Sequence, residues 1–267
     1  MLPLFKSHYS IGKSILTLAD PHKAKEGGPD SILKIALDNG LKEIVLVEDS
    51  LIGFSEAYKR CESHGIKLVF GLRLSMRNEY DEQKSLFKND NSENDNSDEN
   101  TENKVIIFAK NNEGCKFLNK IYSKAFTESE GYLTYSILNN MWEPANLKLA
   151  IPFYDSFIHT NHFKNDTTAI PNIKKMQPTF FIESNGLAFD HLLKHEVEKH
   201  TTKNKYPTQK VKSIFYKNKK DVEALMAYKI ICNRSFGKAR SLSRPELSHF
   251  CSDSFSFESW KEENVKE

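Results

Sequence analysis

An α/β fold built on a parallel sheet is what this sequence predicts, and three observations lead to it. Short apolar runs rich in Val, Ile, Leu and Phe recur along the chain and are nearly continuous, as strands buried on both faces should be. Between them lie longer stretches of helical pattern with recognisable ends. The whole is 267 residues, 39% hydrophobic and 11% aromatic, enough to bury a sizeable core. Alternation of this kind implies right-handed βαβ crossovers, and it leaves undecided whether the sheet stays open or closes into a barrel.

Taken in order, strands are expected at 43–47, 67–70 with 72–76, 105–108, 147–153, 179–182 and 211–216. Pro29-Asp30 opens a helix over 31–37 that Gly40 closes, and 53–64 follows the same scheme with Gly65 behind it. The other long helices are expected at 112–126, 187–200 and 219–233. After Val47 the chain reads Glu-Asp-Ser-Leu-Ile-Gly-Phe, without the G-x-G-x-x-G of dinucleotide binding, and no G-x-x-x-x-G-K-[ST] loop follows elsewhere. Nucleotide binding by a glycine motif is therefore disfavoured.

Segment 88–103 is polar and low in complexity, with six acidic groups and no basic one between 89 and 103. Nothing in it repays the entropy of ordering, so it is expected to be a disordered insertion within a single domain spanning 1–267. Cys61, Cys115, Cys232 and Cys251 are widely spaced and read as buried, reduced thiols, not a zinc clamp or a disulfide framework. Met1-Leu2-Pro3-Leu4-Phe5-Lys6 lacks the signature of a signal peptide, and no apolar stretch is long enough to span a bilayer, which implies a cytoplasmic protein without a membrane partner. Net charge is +2, yet eight lysines fall between Lys199 and Lys220, interleaved with Tyr206, Phe215 and Tyr216; the mixture is compatible with DNA contact, and biased composition explains much of it.

Several stretches resemble, in order, the PHP domain of bacterial and phage DNA polymerase III alpha subunits. Ser7-His8-Tyr9-Ser10 resembles the end of that family's H-x-H-S-E-Y-S, and Glu48-Asp49-Ser50 with Leu51 to Tyr58 resembles T-D-H-G-N-L-F-G-A-V-E-F-Y. Gly65 to Arg73 is similar to G-I-K-P-I-I-G-x-E, and Ala109-Lys110-Asn111-Asn112-Glu113-Gly114 is similar to A-K-N-E-E-G-Y. Asp221-Val222-Glu223-Ala224 through Ile231-Cys232 resembles D-A-E-A-x-x-x-L-L-C-I, and Ser252-Asp253-Ser254-Phe255 resembles the S-D-E-F that leads to the polymerase palm. The resemblance implies a distorted (β/α)7 barrel and, in metal-bearing members, a trinuclear centre for phosphoester hydrolysis held by His, Asp, Glu and Cys.

At the positions where the resemblance would place ligands, this chain departs from the pattern. Leu4 and Lys6 stand at the H-x-H, Asp49-Ser50 at the D-H, Arg73 at the glutamate, Lys104 at the histidine before A-K-N, and Ser213 and Phe215 at the late D-x-H. The S-G-C loop falls near 151–154, where no Cys is found. Only Asp49 keeps its character, and cations at Lys6, Arg73 and Lys104 oppose metal binding electrostatically as well as by ligand count, so no metal or other cofactor is expected.

Other candidates have simpler readings. His191 and His195, at helical i,i+4 spacing, belong to a charged solvent-facing helix, and His159 and His162 to a polar loop. His8 and Asp49 could form an acid–base pair, or merely a hydrogen bond left from a lost site. The expected role is thus that of a structural, protein-docking PHP domain of a replicative polymerase, with the polymerase core and a proofreading exonuclease as partners. A metal-dependent phosphoesterase with an unusual ligand set is the alternative. The chain stops just past the S-D-x-F stretch, without palm carboxylates, and is not expected to polymerise DNA by itself.

Overall fold

The computed structural model describes residues 1–23, 27–77, 102–165, 170–232 and 252–265. The fold is of the α/β barrel class, with strands of mixed direction. By internal contacts the chain divides into two compact units, one comprising Met1–Gly71, Glu183–Leu192 and Gln209–Glu267, the other Leu72–Ile182 and Leu193–Thr208.

In the first unit β1 (Leu2–Phe5) lies between β2 (Glu43–Glu48) and β8 (Thr208–Ile214), parallel to both. Leu4 is level with Val45 on one side and Ser213 on the other. β1 escaped the sequence reading because its four residues include Pro3 and leave no room for a pattern to repeat; Pro3 is tolerated near a strand start. Two helices flank these strands. α1 (Ile32–Asp38) is capped by Ser31, whose hydroxyl accepts from Lys34 N, and α2 (Phe54–Ser63) ends at Gly65, whose φ of 65° favours a residue without Cβ. Their apolar faces pack Ile32, Leu33, Ile35, Ala36, Ala57 and Cys61 against Phe5, Leu46 and Ile214.

The same core takes in Phe257, stacked on Phe5 at 6.0 Å, from α8 (Phe257–Val265). Trp260 Nε1 donates to the Met1 carbonyl at 3.0 Å, and the Met1 ammonium donates to Asn264 at 3.0 Å. Backbone bridges join Phe215 N to Phe255 O and Phe257 N to Tyr216 O, each at 3.0 Å. Residues 252–265 are therefore part of this unit's core. The expected helix over 219–233 resolves into a short turn capped by Asn218 and then α7 (Val222–Cys232).

The second unit carries the strand order β7-β6-β4-β3-β5, from β3 (Lys67–Arg77, which begins in the first unit), β4 (Asn103–Ala109), β5 (Tyr132–Thr134), β6 (Leu147–Ile151) and β7 (Thr179–Ile182). Here the expectation of a parallel sheet is corrected: β4 and β6 run antiparallel, with Ile107 opposite Leu149. The chain leaves β4 through α3 (Asn112–Glu128), forms β5 on the far side of β3, and returns through α4 (Tyr135–Asn140), so that β6 enters reversed. The runs expected at 67–70 and 72–76 are one strand, and the long helix at 187–200 begins and ends later, as α6 (Asp190–Asn204).

Residues 88–101 of the expected insertion lie outside the described residues, but its last two do not belong to it. Asn103 opens β4, is buried and accepts from the Tyr135 hydroxyl, while Glu102 pairs with Arg77 at 3.1 Å. Of the cysteines, Cys61 is buried and Cys115 and Cys232 are half-buried; Cys251 lies outside the described residues. Among the described residues no helix is long and apolar enough to cross a membrane.

Gly114, in the Ala109–Gly114 stretch, sits where α3 starts: its N–H is held by the Asn111 side chain at 2.8 Å, and a Cβ there would overlap the Asn146 carbonyl and lie 3.2 Å from Ala109 Cα. Backbone cannot yield as a side chain can. Gly114→Ala is expected to destabilise the protein by about 1–3 kcal/mol, read as a lower urea midpoint at unchanged slope.

Candidate functional site

The candidate residues fall into two groups, one in each unit. In the first, Leu4, Lys6, Asp49, Ser50, Ser213 and Phe215 sit on or just beyond the adjacent ends of β2, β1 and β8. Lys6 follows β1, and its side chain is only 7% exposed. Its Nζ lies 3.0 Å from Asp49 Oδ1. The cation against Asp49 is thus Lys6, not His8. The His8 ring lies against Tyr9 at 4.4 Å, with its buried Nδ1 lacking a hydrogen-bond partner. Ser50 Oγ is likewise buried without a partner. Leu4 is core, and Phe215 stacks on Phe255 at 5.2 Å, which gives both positions packing roles.

Two buried glutamates beside these positions were missed. Glu48, the last residue of β2, accepts from Ser7 N at 2.8 Å and from the Ser10 hydroxyl, and Ser10 Oγ in turn accepts from Asp49 N at 3.0 Å. Burial pushes the Glu48 carboxyl up, against the opposing pull of Lys6 and the two serines. Glu183 stands one residue past β7 and holds Ser213 twice, through Ser213 N at 3.0 Å and Ser213 Oγ at 2.9 Å, with Asn185 Nδ2 at 3.1 Å. Burial raises its carboxyl too. A detectable signal existed: each is an acid closing an apolar run, Ile-Val-Leu-Val before Glu48 and Phe-Phe-Ile before Glu183. The adjacent Lys212 is fully buried, its Nζ 2.5 Å from Glu263 and 2.9 Å from the Ser184 carbonyl.

In the second unit Arg73 and Lys104 stand on neighbouring strands. Arg73 Nη2 meets Asp155 Oδ2 at 2.7 Å, and Lys104 N donates to the Asp155 carbonyl at 2.6 Å. Lys104 Nζ donates to Ser75 Oγ and lies 3.9 Å from Glu102. Asp155 was missed by one residue, since the loop considered from sequence ended at 154; its φ of 60° is a left-handed conformation that Asp tolerates better than most.

His191 and His195 are exposed on α6, as expected. His159 is corrected: it lies buried in α5 (Phe157–Thr160), not in a polar loop, because Ser156 caps a helix there. His162 approaches Glu196 at 3.4 Å. Among the described residues no group of three or more His, Cys, Asp or Glu is placed to hold a metal ion. The lysine run is partly spent on carboxylates: Lys199 on Glu196, Lys212 on Glu263, Lys217 on Asp30 and Lys219 on Glu262.

Removing the ammonium of Lys6 would leave the Asp49 carboxylate without its paired cation and take from Glu48 the positive charge that favours its ionised form. Lys6→Met is expected to cost about 1–3 kcal/mol in urea unfolding at neutral pH, the range for stranding a partly buried partner. Glu183→Gln should act oppositely. Because the folded-state carboxyl is raised, its contribution is complete at pH below the ordinary glutamate range and is lost as pH rises through the folded value. The variant should therefore be more stable than the wild type at pH 7–8, with the gap closing toward about pH 4.

A family model described as PHP domain matches residues 26–167, just over half of the chain. Comparison with curated proteins returns no match.

Proposed function

The chain belongs to the PHP-domain family, and on that premise we propose that it is a PHP domain whose metal chemistry has been replaced by internal ion pairs, serving a DNA polymerase III alpha-type replicase as a structural and docking module. The observation that carries this reading is Lys6 Nζ at 3.0 Å from Asp49 Oδ1. Where the family resemblance would put a divalent cation against Asp49, a covalently tethered monovalent one stands. The remaining ligand positions fit a metal centre poorly: Leu4 and Phe215 are apolar, Ser50 and Ser213 are weak donors, and Arg73 and Lys104 are cations. Metals bind where ligands are anionic or neutral and deprotonated, and a fixed ammonium and guanidinium raise the cost of adding more positive charge.

Without metal-generated hydroxide the fold retains its use as a scaffold, and in the resemblance that use is to buttress a polymerase core and to dock a proofreading exonuclease. The engagement of Lys199, Lys212, Lys217 and Lys219 with carboxylates favours a protein partner over DNA, because paired lysines have less counterion release to offer phosphates.

Protein purified without chelator should contain no stoichiometric zinc, manganese or iron, and phosphodiester hydrolysis in added manganese or zinc should be at background and unchanged in Asp49→Ala. Stoichiometric metal with Asp49-dependent turnover would establish the alternative, a phosphoesterase with its own ligand set. The docking role is checked by co-purification with a polymerase portion or an exonuclease subunit, and failure to bind either counts against it.

A further inference from the structure

The buried stripe of α6 in the second unit carries one residue out of keeping with it. Leu193, Val197 and Thr201 are buried at helical spacing, and His200 shares their face in the last turn. Its imidazole is boxed by rings from three directions: Phe157 on α5 at 5.5 Å and 74°, Phe180 on β7 at 5.4 Å, and Tyr206 beyond the helix at 6.1 Å. Nε2 is buried and has no hydrogen-bond partner. A neutral imidazole tolerates this, since one of its two nitrogens carries no hydrogen. An imidazolium has two N–H donors, and the one on Nε2 would be stranded among rings.

We infer that His200 is an acid-sensitive latch: neutral, it locks the last turn of α6 into the aromatic box, and protonated, it releases that turn. Two effects favour the cation, the helix C-terminus and the faces of the surrounding rings. Burial opposes it, and so does Lys203 one turn along the same helix, the one charged group that bears on the ring among the described residues; together they lower the imidazole below its ordinary value. From the other elements packed against it come the apolar rings of Phe157 and Phe180 and the phenol of Tyr206, which burial pushes up and keeps neutral. Glu196, a turn earlier, is engaged by His162 and Lys199 at 3.4 Å each.

What the latch holds is more than one side chain. Tyr206 N donates to Thr201 O at 3.0 Å, Phe180 N to Pro207 O at 2.9 Å, and Lys205 turns the chain with φ 57°. Releasing the turn therefore frees the 205–207 corner and the bond by which it borders β7.

The sign follows from the lowered value: protection is complete above the unfolded imidazole range, about pH 6.5, and is lost as pH falls through the folded value. The test is amide exchange over 193–208 in the full chain from pH 7.5 to 5, compared among wild type, His200→Phe and His200→Gln, with an imidazole NMR titration of the wild type. In the wild type the opening constant should rise by up to about tenfold per pH unit below 6.5 beyond the intrinsic exchange trend, neither variant should show this rise, and the His200 midpoint should lie below 6.5. Equal acid acceleration in a folded variant, or a midpoint at or above 6.5, overturns the inference. Should the phenylalanine variant fail to fold, the glutamine variant decides alone.

Discussion

A lysine ammonium with its side chain 7% exposed has lost most of its hydration, and the polar end of the first unit is arranged around that loss. Asp49 supplies the counter-charge directly. Glu48 adds field from behind it, held by Ser7 N and the Ser10 hydroxyl, and Ser10 turns its own lone pair to Asp49 N. Move the ammonium and Asp49 loses its counter-charge while Glu48 loses the positive field that offsets its burial. An ion pair of this kind contributes little net stability over a well-packed apolar pair, yet it strongly penalises the loss of either member. It fixes the arrangement more than it stabilises it.

The second unit repeats the solution with a different cation. Arg73 engages Asp155 side chain to side chain while Lys104 engages its carbonyl, so a residue in a left-handed conformation is secured at both ends. A guanidinium suits the position because it stays charged at any accessible pH and tolerates partial burial better than an ammonium. On the functional reading given above, such pairs neutralise leftover carboxylates once metal ions are no longer there to do so.

Much of this was legible in the sequence, for identifiable reasons. The buried strands at Glu43–Glu48, Thr179–Ile182 and Leu147–Ile151 are apolar runs whose composition leaves few alternatives, and α1 and α2 announce themselves by Pro29-Asp30, Gly40 and Gly65. Strand direction was not legible, because pairing of β4 with β6 depends on where β5 places the returning chain and not on either strand's residues. β1 was too short to show a period. Within the candidate site, Lys6 and Arg73 stood out as charges in the wrong place, but their partners could not be assigned: Asp49 and Asp155 are 43 and 82 residues away along the chain. Glu48 and Glu183 look like ordinary strand-terminal acids until burial is known.

The stacking of Phe5 on Phe257, and the hydrogen bond from Trp260 Nε1 to the Met1 carbonyl across 259 residues, join stretches far apart along the chain. Closing that distance carries an entropic toll that local contacts do not share, and chains dominated by such long-range pairings search slowly for their native arrangement. β1 precedes α8 in the chain, so during synthesis it must wait for α8 before Phe5 finds its stacking partner. Through that interval an apolar strand is exposed to misassociation.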